Sequence, residues 1–241
     1  MKHLYKLHIA HVLSLNSFIV LIVFLSLNTV FLIVFSDVLH PNILDTIYGF
    51  ERRTNYFLDA LYLLKLSVLI LLVMIALRIN GYHKQLWVYV VRTSRFKVLL
   101  TQILAVLTII IVYLSVHYII IFVIYKSTSY YQYDRLDLKL FRDLVIIFFY
   151  YSSLFMAVIH LFRNVYGIMT CFVFAFMTDI VIPVGVSINT MQVYQILLLH
   201  LFPTLQRNQS DIYLNTQPML LIIIAFVFIL LITYRFITCD I

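Results

Sequence analysis

Long apolar runs broken by short polar ones set the pattern of this chain. The runs fall at 12–35, 58–78, 98–125, 144–163, 165–187 and 218–236. One helical crossing of a bilayer core takes about 20 mostly apolar residues, and each run is close to that length or beyond it. No ten-residue alternation suggests a barrel, and backbone groups in lipid must be satisfied within their own segment, so helices are predicted. The expected fold is all-α and integral to the membrane, with six transmembrane helices, both termini cytoplasmic and a single domain over 1–241. Pro218 opens the last run, where a helix start tolerates proline. Lys2 and Lys6 precede the first run, but it is too long for a signal-peptide core and ends in the poor cleavage site VFSD. A retained anchor is expected.

Composition supports the membrane class. The chain is 64% hydrophobic and 11% charged, whereas soluble domains are nearer half apolar. Its mean hydropathy is +1.04. The net charge of +7 would suit a nucleic-acid partner if the cations formed one binding face. They follow topology instead. With the termini inside, Lys2, Lys6, Arg78, Lys84, Arg92, Arg95, Lys97, Arg163 and Arg235 face the cytoplasm against Asp240, while the external loops mix seven cations with eight acids. This is the positive-inside bias, and no nucleic-acid partner is expected.

Catalytic parts are missing from the sequence. There is no G-x-x-x-x-G-K-[ST] to cradle ATP phosphates, no H-E-x-x-H and no G-x-S-x-G, so the chain is not expected to be an enzyme. Of His3, His8 and His11 only the last two share a helical face and no carboxylate accompanies them, so no metal site is expected. Cys171 and Cys239 fall on the reducing side, without a pairing pattern.

The stretch RINGYHKQLWVYVVRTSRFKVLL, Arg78 to Leu100, holds five cations and no acid. Drawn as a helix it places Trp87, Val90, Val91 and Val98 on one face and Lys84, Arg92 and Arg95 beside them. That is the pattern of a helix on a membrane surface; an ordinary basic loop is the plainer reading.

Asn80-Gly81, the run HKQLWVYVV, Thr93-Ser94-Arg95, and FKVLLTQIL leading into a span resemble the permease subunits of ATP-binding-cassette exporters of the type-two class. Two positions depart from that pattern: no acidic residue precedes Gly81, and Gln102 stands where a Lys is common. The resemblance implies that region 79–97 is the cytoplasmic coupling helix docking on a separate ATPase subunit, through Gly81, Lys84, Trp87, Arg92, Ser94, Arg95 and Lys97. ATP and Mg would belong to that subunit, with no cofactor in this chain. It also implies an external re-entrant segment at 190–205, with His200 and Pro203 at the exit of the path. The residues alone leave open a membrane-hugging loop there, because VYQILLLHLFP is too short to span and too apolar for water.

Lys65 and Asp179 sit at one expected depth inside the second and fifth spans. Opposite charges at one depth suggest an ion pair, either lining the translocation path or locking helix packing. Asn28, sharing a face with Ser17, borders a cavity or bonds a neighbouring helix. Thr101, Ala105, Thr108 and Ser115 form a stripe suited to close helix contact, and the lone His117 and His160 are expected to bond backbone or hydroxyl groups.

Together these readings predict the permease subunit of an ATP-driven exporter that moves a hydrophobic or amphipathic cargo, a small peptide or toxin first, by alternating access. Expected partners are ATPase subunits, a second copy or related permease, lipid and the cargo peptide. The expected location is a bacterial plasma membrane, the composition resembling that of AT-rich genomes. The alternative is a non-transporting membrane sensor, immunity or assembly protein that binds a partner through its basic loop.

Overall fold

A computed structural model describes residues 2–13, 15–35, 56–90, 94–127, 138–162, 165–181, 202–203, 205–208, 211–214 and 217–238. Seven helices are described: α1 (Lys2–Val12), α2 (Leu15–Phe35), α3 (Tyr56–Val90), α4 (Arg95–Lys126), α5 (Leu138–Phe162), α6 (Val165–Val181) and α7 (Pro218–Thr238). One feature departs from the all-α expectation. Strands β1 (Leu205–Asn208) and β2 (Asp211–Leu214) pair antiparallel, Leu205 opposite Leu214, as a short hairpin leading to α7.

Four helical stretches are long and apolar enough to cross a membrane: Ala60–Gly81, Arg95–Lys126, Leu138–Phe162 and Pro218–Thr238. The first and fifth expected spans are also helical, but their described apolar stretches, Ser17–Val30 and Val165–Phe176, are shorter. The outer faces of the bundle carry large exposed hydrophobes such as Phe18, Ile22 and Leu27 on α2, Ile119 on α4 and Leu230 on α7. Water would penalise so much contiguous apolar surface, whereas hydrocarbon does not. Hydroxyls on these helices turn back on their own backbone, as Ser115 does to Ile111 and Thr233 to Ile229, which satisfies them without a solvent.

Burial ranks the helices. The apolar stretch of α5 is 72% buried and that of α3 67%, against 22% for α7, so α3 and α5 form the centre and α7 lies at the periphery. On α3, Leu61, Leu64, Val68, Leu72, Ile75 and Ile79 form one buried stripe, and buried Ala60, Leu69, Leu71 and Ala76 extend burial well round the helix because neighbours surround it. α7 runs parallel to α5, Phe149 meeting Phe226 at 5.9 Å and His160 meeting Phe236 at 5.6 Å between ring centroids. α6 folds back on α5 where Gly167 lets the helices close; a Cβ there would lie 3.1 Å from Val158 Cγ1. Arg95 Nη1 donates to the Ile237 carbonyl at 3.2 Å, so α4 begins at the end of the bundle where α7 finishes.

Two boundaries differ from the pattern reading. α5 starts at Leu138, six residues before the expected span, and takes in Lys139, Arg142 and Asp143. More consequentially, the second span and the following basic segment are one helix, α3, unbroken to Val90. No proline interrupts it, and a mid-helix glycine costs only about 1 kcal/mol. Gly81 is exposed with nothing within 4 Å of a notional Cβ.

Candidate functional site

At the centre of the bundle the Pro203 carbonyl accepts two hydrogen bonds. Lys65 Nζ on α3 donates at 3.1 Å, and the Tyr151 hydroxyl on α5 donates at 2.9 Å. The ammonium also lies 5.3 Å from the centroid of the Tyr151 ring. Lys65 is 2% exposed and Tyr151 fully buried. Taking an ammonium out of water costs several kcal/mol unless donors and charge find partners, and a carbonyl plus an aromatic face supply part of that replacement.

The geometry follows from the residue types. Proline has no N–H, so the chain at 203 can enter an apolar interior once its carbonyl is satisfied. Its predecessor Phe202 is 8% exposed and stacks on Phe174 of α6, with ring centroids 5.8 Å apart and planes 22° from parallel. Phe202-Pro203 is thus a plug held by α3, α5 and α6, immediately ahead of the hairpin.

A second polar cluster occupies another face of α3. Asn28 Nδ2 on α2 donates to the Ala60 carbonyl at 3.2 Å and lies 2.6 Å from His117 Nε2 on α4. The carbonyl fixes that Asn28 atom as nitrogen, so His117 Nε2 accepts and the ring proton resides on Nδ1. The Tyr113 ring meets His117 edge-on at 5.4 Å. All three residues are buried, yet Asn28 Oδ1, His117 Nδ1 and the Tyr113 hydroxyl have no hydrogen-bond partner among the described residues.

The remaining expected site residues are distributed as follows. Ser94 occupies the N-cap position of α4, its carbonyl accepting from Lys97 and Val98 while its side chain makes no cap bond. Arg95 holds the end of α7, and Lys97 is exposed. Lys84 and Trp87 lie on α3 and Asp179 on α6; their side chains, and all of Arg92 and His200, are outside the described residues, as is the anticipated Lys65–Asp179 pairing. Gln102, which stands where exporter permeases of the type-two class commonly have Lys, is buried, and its Oε1 has no partner among the described residues. In the small-residue stripe Thr101 and Ala105 are buried, and Thr108 accepts from the Tyr5 hydroxyl of α1 at 2.8 Å. Among the described residues no three of His, Cys, Asp and Glu come together.

Pattern reading assigned Lys65 and Pro203 to separate features; the structure joins them. It missed Tyr151 and Phe202, and it expected His117 to bond backbone or hydroxyl rather than an amide. The available signal for Tyr151 was FFYYSS in mid-span, where a phenol needs a partner. Four long apolar helices with hydrocarbon-facing surfaces define a multi-pass helical membrane protein. No protein family, curated relative or solved structure matches the chain.

Proposed function

We propose that this chain is the membrane-spanning subunit of an ATP-driven exporter, crossing a bacterial plasma membrane six times with both termini inside. The observation that carries the reading is the continuity of α3. Lys65, which holds the Pro203 plug, and Lys84, in the basic segment, belong to one helix and lie 19 residues apart, about 28 Å along its axis. A helix transmits displacement over that distance without folding. Force applied by a cytoplasmic ATPase at the basic end, through Lys84 and Trp87, reaches the plug directly, and an alternating-access cycle needs such a link between motor and exit. Two copies, or one copy and a related permease, enclose the path, and its aromatic and aliphatic walls suit a hydrophobic or amphipathic peptide.

Coexpression with candidate ATPases tests the docking step. The wild-type chain is expected to retain an ATPase through purification, and Lys84→Glu with Arg92→Glu to release it; no retained ATPase refutes the reading. A Gly81→Pro variant tests the rod itself. It should keep the ATPase and the folded bundle yet lose export, and export at the wild-type rate would show that α3 is not the transmitting element.

A further inference from the structure

Between the C-terminal third of α4 and the start of α5 lies a groove of about 750 Å³. Ile119, Phe122, Leu138 and Phe141 line it, and Lys126 and Lys139 stand at one end. We propose that this groove binds one anionic phospholipid, an acyl chain along the apolar lining and the phosphate between the two lysines.

Three observations select this occupant. The first is polarity. The far end of the groove is reached at Ser115, whose hydroxyl donates to the Ile111 carbonyl at 2.7 Å, and among the described lining residues the charged ones are Lys126 and Lys139. The lining therefore grades from cationic to hydrocarbon, as an anionic amphiphile does. The second is length. Ser115 and Lys126 are eleven residues apart on α4, about 16 Å along the axis. One leaflet of a hydrocarbon core about 30 Å thick is about 15 Å deep. A chain starting at Lys126 spans its leaflet within the groove.

The third is charge. Lys126 Nζ is drawn 5.7 Å from the centroid of Phe122, a ring of the lining itself, and Lys126 and Lys139 are both exposed at the mouth. The adjacent Arg142 is already engaged with Asp143 at 2.9 Å. A second copy docked face to face here would bring like charges together, so the same lysines that recruit a phosphate disfavour that partner. Leu138 is 85% exposed and Ile119 59%, leaving hydrocarbon on the chain ready to be covered by hydrocarbon.

The test uses the full chain in nanodiscs of phosphatidylcholine containing a minority of phosphatidylglycerol, followed by detergent extraction and mass spectrometry of lipid retained by the protein. Enrichment of phosphatidylglycerol over phosphatidylcholine is expected. Lys126→Gln with Lys139→Gln should reduce it about thirtyfold, from the electrostatic contribution of two surface lysines. Lys126→Arg with Lys139→Arg should preserve it. Ile119→Trp, which fills the groove and keeps both charges, should also release the lipid. Equal retention of both lipids by wild type, or undiminished enrichment in the double Gln variant, overturns the proposal. So does equally tight binding of water-soluble glycerol phosphate, since the groove would then be idle. None of these readouts depends on an ATPase or on export.

Discussion

The two polar clusters against α3 meet one requirement in opposite ways. Lys65 and Ala60 are five residues apart, about 140° round the helix, so one cluster faces α5 and the plug while the other faces α2 and α4. At the plug a charge is present, and its surroundings are dense: a carbonyl, an aromatic face and a second donor converge. Around His117 no member carries a formal charge, and three polar atoms go without a partner among the described residues. The difference follows from solvation energy, because an unsatisfied neutral group in an apolar interior costs a few kcal/mol and an unsatisfied ion far more. A charge in the bundle therefore dictates local structure, while a neutral polar group can be carried at a deficit.

The strongest way to break this comparison is Tyr151→Ala. It empties a fully buried site and removes a donor to Pro203, so a loss of about 3–5 kcal/mol is expected, read from unfolding in detergent. A loss under about 1 kcal/mol would mean that the plug is not held there.

Next in size is the double change Lys65→Met with Tyr151→Phe. Its apolar replacements fill similar volumes but remove both donors to the Pro203 carbonyl, which should cost about 1–3 kcal/mol. Limited proteolysis within 205–214 should accelerate in parallel, because the hairpin follows the plug directly.

The opposite sign is expected at the other cluster. Tyr113→Phe deletes a buried hydroxyl without a hydrogen-bond partner among the described residues and should raise the melting temperature, by the equivalent of about 1 kcal/mol. A lowered melting temperature would show that the hydroxyl is bonded after all, with Ser67 Oγ of α3, which itself donates to the Leu64 carbonyl, as the candidate acceptor.

The smallest effect is expected for Asn28→Leu with His117→Leu. Replacing both partners of one hydrogen bond by apolar groups is close to neutral, within about 0.5 kcal/mol. Unfolding of this double variant beside Lys65→Met with Tyr151→Phe is the direct contrast. Equal losses in both would erase the distinction between a cluster built around a charge and one that is not.

Much of the fold was legible in the order of residues. A helix is described within every predicted run, because a stretch of hydrocarbon side chains leaves its backbone no partner but itself. Their ends were less legible. Polar residues at 79–90 and 138–143 mark the exit from an apolar environment, which need not be the end of a helix, and so α3 and α5 extend past the apolar boundary. The hairpin was invisible because LQRN and DIYL carry no strong strand signal, and their placement rests on tertiary contacts, β1 against α3 and β2 against α5.

For the site the division is sharper. That Lys65 is costly in a membrane, and must be answered by something, follows from one letter in an apolar run. That a backbone carbonyl 138 residues away and a phenol on another helix help to answer it does not, since neither a carbonyl nor one tyrosine among 18 is marked in a sequence. Composition and periodicity by themselves determined the class of environment and the existence of helices, because those depend on the transfer of side chains one at a time. Only tertiary structure decided which helices are central, where α3 ends and what touches Lys65, because these depend on the directions of groups far apart along the chain.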